Sequence, residues 1–227
     1  MSQVTFDLAH TPLREINQFL HGHAHAATKV RVENPDGSHN IAVGISAPIS
    51  VEICGNAGYY AAGMNEQATV TVHGNAGPGV AENMMSGLVR VTGFASVSAG
   101  ASAHGGTLII HGDASLRCDI SLKGADIVVG GSVGSFSAFM AQAGRLVICG
   151  DAGDALGDSL YEAVIYVRGT VKSLGADARF EEMTRADYDT IAELLARAGL
   201  EHDPKTFRRV ASAKQLYNWN ADAHQEY

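Results

Sequence analysis

The chain has 227 residues, 26 of them Gly and only 5 Pro, with 46% apolar and 18% charged residues and a formal net charge of -8. That composition excludes a disordered polymer, and glycine without a Gly-X-Y triplet excludes collagen. The acidic balance argues against a nucleic-acid or anionic-membrane surface, both of which need a basic patch.

No apolar run reaches the roughly 18 residues of a membrane span. The N-terminal stretch MSQVTFDLAHTPLREI has no basic-then-apolar signal pattern, so a cytoplasmic location is expected. Cys54, Cys118 and Cys149 cannot all pair within one chain and form no CxxC element. Reduced thiols are expected, with no disulfide framework.

Charge divides the chain into three: residues 41–176 carry 16 charged side chains and residues 177–227 carry 17. Residues 1–40 read as an N-terminal cap with one short helix. Thr11 stands at its N-cap and Pro12 at its first position, Leu13, Ile16 and Leu20 share a face, and Gly22 terminates it. His21, His23 and His25 follow as a metal-like cluster, but no Cys or carboxylate stands beside them, so they read as a helix end and loop.

Residues 41–176 are an internal repeat. An apolar-x-apolar-x-Gly pattern recurs as VEICG, VTVHG, VRVTG, LIIHG, IVVGG, LVICG and IYVRG, ending on Gly55, Gly74, Gly93, Gly112, Gly131, Gly150 and Gly169 at one constant interval. Two residues after each glycine stands Ala57, Ala76, Ala95, Ala114, Val133, Ala152 or Val171. Such a repeat must bury its apolar face against copies of itself. The expected fold is an all-β core: a right-handed parallel β-helix of about seven 19-residue coils, each rising about 4.8 Å, with an N-terminal helix and a C-terminal helical cap. A glycine after every strand suits a corner with positive φ or a backbone approach too close for a Cβ.

In residues 177–227, Thr184 and Asp187 read as a capping box, and Ile191, Leu194, Leu195 and Ala198 form an apolar stripe ending at Gly199. A shorter element follows around Phe207–Tyr217. This C-terminal segment is expected to be helical and to cap the solenoid against edge pairing.

The side chains that could carry chemistry are sparse. Cys54, His73, Thr92, His111, Gly130, Cys149 and Arg168 share the column before the corner glycine. Cys54 and His73 lack both a third metal ligand and an orienting group. Asp113 and Asp151 occupy one corner position with Ser132 between them, two coils apart. Asp154 and Asp158 could meet in a turn, but Arg117 and Lys123 give an acidic-polysaccharide lyase or hydrolase little support. No phosphate loop or HExxH occurs, and residue 2 is Ser. No catalytic, cofactor-binding or metal-binding residue is assigned.

The positions between the two core residues of each strand read Glu52, Thr71, Arg90, Ile109, Val128, Val147 and Tyr166. The last four form an apolar outer stripe that needs a cover. They are assigned as a possible interface, covered by the C-terminal helix in part or by another subunit.

The repeats GNAGYYAAG (55–63) and GNAG (74–77), preceded by NPDGSHNIAVGI (34–45), resemble the GXGXG solenoid that forms the C-terminal domain of glutamate synthase large subunits. The resemblance covers about residues 10–180, and RRVASAKQLYNW (208–219) is similar to tails of stand-alone members. Among these the chain looks most like the solenoid subunit of N-methylglutamate synthase, also called methylamine–glutamate N-methyltransferase. The resemblance implies a non-catalytic subunit that bridges an amidotransferase-like subunit and an FMN-binding, glutamate-synthase-like subunit, with FMN and an iron–sulfur cluster in that partner. It equally admits a solenoid subunit of glutamate synthase or of formylmethanofuran dehydrogenase. A self-sufficient β-helix enzyme is the alternative of another class.

Overall fold

The structure is a computed structural model that describes residues 2–22 and 28–215. Its frame is one eleven-stranded sheet. β1 (Ser2–Asp7), β2 (Thr28–Glu33), β3 (Ser50–Cys54), β4 (Thr69–Val72), β5 (Leu88–Val91), β6 (Thr107–Ile110), β7 (Lys123–Val129), β8 (Ala143–Ile148) and β9 (Val164–Val167) stack in sequence order, every neighbour parallel. From β3 to β9 the register advances by one repeat per strand, as in Val51↔Val70 and Leu146↔Ile165. The chain is the parallel β-solenoid that the repeat predicts.

Each strand alternates. Val51, Val70, Val89, Leu108, Ile127, Leu146 and Ile165 are all essentially inaccessible to solvent, each contributing about 1.5–3 kcal/mol by burial. On the second side Ala57, Ala76, Ala95, Ala114, Val133, Ala152 and Val171 form a ladder of single parallel bridges. A third side closes the coil with residues in the left-handed region: Arg117, Asp119 and Ser121 in one coil, Phe136, Ala138 and Met140 in the next.

The corner glycines resolve the two sequence options in favour of close approach. Gly55 alone among the seven has a left-handed φ, +147°. Elsewhere each stacks on its predecessor: a Cβ on Gly150 would lie 2.7 Å from Gly131 backbone, and the Gly150 N–H donates to the Gly131 carbonyl at 2.7 Å. A polar ladder runs beside this spine. Asn56 Oδ1 accepts from the Asn75 N–H at 2.8 Å, Asn75 Oδ1 from Phe94, Asp113 Oδ1 from Ser132, Ser132 Oγ from Asp151 and Asp151 Oδ1 from Thr170.

The ends differ from the expectation. Residues 1–40 contain two rungs of the sheet besides α1 (Leu13–Gly22). β2 escapes the repeat because Val30 pairs with Val51, a longer step along the chain than Val51 to Val70. The helix caps the first coil with Ile16 and Leu20 buried, and Asn17 both donates to the Asn40 carbonyl and accepts from the Ala42 N–H.

The C-terminal segment is only partly helical. β10 (Ala178–Glu181) leads to α2 (Arg185–Ala198), then to a 3-10 turn at Pro204–Thr206 and β11 (Arg208–Ser212). β11 pairs antiparallel with β9, and β10 pairs antiparallel with β11. The last parallel rung offers unpaired N–H and C=O groups, and an antiparallel strand satisfies them and ends the stack. Residues 216 and 217 of the predicted last element lie outside the described residues.

Candidate functional site

The outer stripe is the first surface to place. Ile109, Val128, Val147 and Tyr166 are at most 3% exposed and pack with Cys149 against Ile191, Leu194, Leu195, Ala198 and Phe207. The cover is therefore the chain's own α2, over the whole column, and the stripe assigned as a possible partner interface is an internal one. The apolar face of α2 recurs at helical spacing and matches a column that recurs once per coil.

Polar contacts pin both helix ends. At the start, Thr184 caps the helix in a capping box with Asp187, and the Tyr166 hydroxyl donates to Asp187 Oδ1 at 2.7 Å. Burial raises the Asp187 pKa, but hydrogen bonds from Thr184 and Tyr166 outweigh it and hold the carboxyl below its ordinary value. At the end, Gly199 takes the left-handed cap. The last carbonyls accept from Arg90, at 2.9 Å to Arg197, and meet His111 Nε2, at 3.2 Å from Ala198. Cationic and donor groups at a helix C-terminus complement its dipole.

The sequence-level candidates for chemistry are largely spent on structure. His111 sits under the end of α2, with its Nδ1 3.3 Å from the Val91 carbonyl. Arg168 donates to the Cys149 carbonyl at 2.7 Å, and Gly130 stands against His111 backbone. Asp113 and Asp151 are ladder acceptors. Asp154 is held by Lys172 at 2.7 Å, and Asp158 accepts from Ser159 at 2.8 Å. His21 lies 2.7 Å from the Val43 carbonyl, whereas His23 and His25 lie outside the described residues.

Burial raises the pKa of all three thiols: modestly at Cys54, well above the ordinary value at Cys118, and to about 11 at Cys149. Raised thiols are poor nucleophiles.

One buried group is absent from the sequence-level reading. Asp119 is 0% exposed and neither carboxylate oxygen has a hydrogen-bond partner. It occupies the third-side column of Ala62, Ala81, Gly100, Ala138 and Gly157, where a Cβ at Gly100 points at Ile127 and Leu108. Burial, and secondarily Asp126, raises its pKa well above the ordinary carboxylate value. A charged residue in an otherwise Ala/Gly column is the signal that identifies it.

Several open concavities line the described surface, two of them on the solenoid's corners. A cleft of about 670 Å³ at the first coil is lined by Leu8, Asn34, Pro35, Asp36, Ser38 and Cys54, among others. A groove of about 440 Å³ on the corner between the second and third sides is lined by Val97, Ser98, Leu116, Arg117, Ser135 and Phe136. Among the described residues no helix is long and apolar enough to cross a membrane.

No protein-family model matches the chain. It is similar to Protein GlxC of Rhizobium meliloti (strain 1021), with 56% identity over 224 residues, 97% of this chain and 98% of that protein. At that identity over nearly the whole of both proteins, the chain belongs to the family of Protein GlxC.

Proposed function

We propose that the chain is a non-catalytic scaffolding subunit of a glutamate-synthase-like enzyme, and specifically of N-methylglutamate synthase, which converts methylamine and glutamate to N-methylglutamate and ammonia. In this reading the rod holds an amidotransferase-like subunit against an FMN-binding synthase subunit, so that a small amine passes between them without escaping. The observation that carries the proposal is the use made of reactive side chains. The corner carboxylates accept backbone N–H groups, the thiols are raised by burial, and the apolar stripe of the strand face is covered by α2. The similarity of repeats 55–63 and 74–77 to GXGXG solenoids supplies the enzyme class.

FMN and the iron–sulfur cluster belong to the synthase partner in this proposal. The cysteines here do not fit a cluster: Cys54 and Cys149 share a column five coils apart, roughly 24 Å, and Cys118 is buried on another side. No step is therefore routed through either group.

Native purification with mass measurement and a flavin spectrum tests the proposal. A complex containing this chain, an amidotransferase-like subunit and a flavin-bearing subunit is expected, with N-methylglutamate formed only by the complex. Turnover by the isolated polypeptide overturns the scaffolding role. Co-purification with subunits of formylmethanofuran dehydrogenase overturns the enzyme class.

A further inference from the structure

The groove on the corner between the second and third sides gathers exposed apolar side chains that the fold does not use. Leu116 and Phe136 stand on adjacent coils with 49% and 45% of their surface exposed, and Val97 is half-buried one coil before Leu116. The Phe139 ring meets Phe136 edge-on at 6.4 Å and stiffens it. Neither Leu116 nor Phe136 belongs to either hydrophobic core. Large exposed apolar side chains converging on one concavity mark an interaction site rather than ordinary surface.

Charge identifies the occupant. Arg117 lies in the groove between Leu116 and Phe136, exposed, and among the described residues it has no ion-pair partner. Asp154 on the coil beyond is committed to Lys172. An unpaired guanidinium in a chain of net charge -8 is a specific receptor for a carboxylate, which it can bind through two parallel hydrogen bonds. A second copy of this acidic chain is a poor source, since like net charges oppose association.

We infer that this groove docks a segment of another protein subunit that places apolar side chains between Leu116 and Phe136 and a carboxylate on Arg117. The inference rests on the subunit role proposed above and assigns that role a surface. It also assigns a division of labour: the strand face holds the chain's own helix, and the opposite corner holds the partner.

The test uses the full chain co-expressed with the amidotransferase-like and FMN-binding subunits from the same cell. Phe136→Ser and Leu116→Ser are each expected to weaken assembly tenfold or more, as for aromatic and aliphatic anchors. Arg117→Glu is expected to weaken it and to invert that pair's salt dependence, added salt now relieving a repulsion. Arg117→Glu should melt at the wild-type temperature, and the two serine variants, whose side chains are about half exposed, should stay folded and melt only a few degrees lower through the burial they lose.

A photo-crosslinking residue at Ser98 should join the chain to one partner subunit, within a segment bearing apolar residues and an Asp or Glu. A wild-type complex that all three variants leave intact overturns the groove assignment and spares the subunit role. A crosslink to a second copy, or to residues 216–227 of the same chain, overturns it as well. Failure of the wild-type chain to assemble at all overturns the subunit role, and the groove assignment falls with it.

Discussion

Replacing Asp119 by Ala should stabilise the protein, by an amount that depends on pH in a calculable way. The side chain is wholly buried with both oxygens unpartnered, so the folded state holds it as the neutral acid. An unfolded chain releases that proton near pH 3.9. This is a carboxyl whose folded pKa is raised. Folding therefore carries no ionisation penalty below about pH 3.9, and stability is lost as pH rises from there through the folded-state value, at about 1.4 kcal/mol per pH unit.

The replacement fits the site. Ala62, Ala81 and Ala138 occupy the same column with φ between 54° and 56°, against 68° for Asp119. Between pH 5 and pH 7 the stability gap between Asp119→Ala and the wild type should widen, by at most about 2.7 kcal/mol, the figure for an acid neutral across the whole range. Urea unfolding of both proteins at pH 5, 6 and 7 measures this, and the difference cancels every other titrating group. Parallel curves across that range would refute the reasoning, because they would mean that Asp119 is ionised and paired in the folded protein.

Three further outcomes follow from the same packing. Val128→Asp sets an unpaired charge beneath α2, where Val128 is fully buried, and should cost about 3 kcal/mol or more, read as a lower urea midpoint and early loss of helix signal. Phe94→Asn restores a side-chain oxygen where the polar ladder between Asn75 and Asp113 is broken by an exposed ring, and should raise stability by about 0.5–1.5 kcal/mol. A colourless thiol reagent with a chromogenic product should detect Cys54 in the native protein at pH 8. Cys118 and Cys149, both buried, should react only after denaturant is added.

The even spacing of Gly55 through Gly169 made seven rungs legible without coordinates, and the outer column ending at Tyr166 called for a cover that α2 supplies. The capping box at Thr184 and the stop at Gly199 were equally readable, because they are local chemistry. What escaped was whatever broke the ruler or lacked a local signature. The first coil, from Val30 to Val51, is longer than the repeat, and β11 becomes a strand only because β9 presents an open edge to it. The corner groove depends on Leu116 and Phe136, remote in sequence, coming together on neighbouring coils. Asp119 was legible in principle, since its column is otherwise Ala and Gly, but that column lies in the turns, away from the strand alternation that sets the ruler.

The glycine spine has a consequence for how such a rod can change length. Because each corner glycine needs another beneath it, a small gain or loss of chain in the middle would throw every column out of alignment, whereas a whole repeat unit slips in or out with all ladders intact. Whole coils of another length lie at the extremities, a longer step between Val30 and Val51 and a shorter one between Leu156 and Leu174, where the helix and the strand pair attach; the one-residue slip between Lys123 and Asp126 is taken up within its own coil, and Asp126 pairs with Arg145 in the common register. Length is thus quantised in steps of about 4.8 Å, and the separation between whatever grips the two ends can be reset without redesigning either grip.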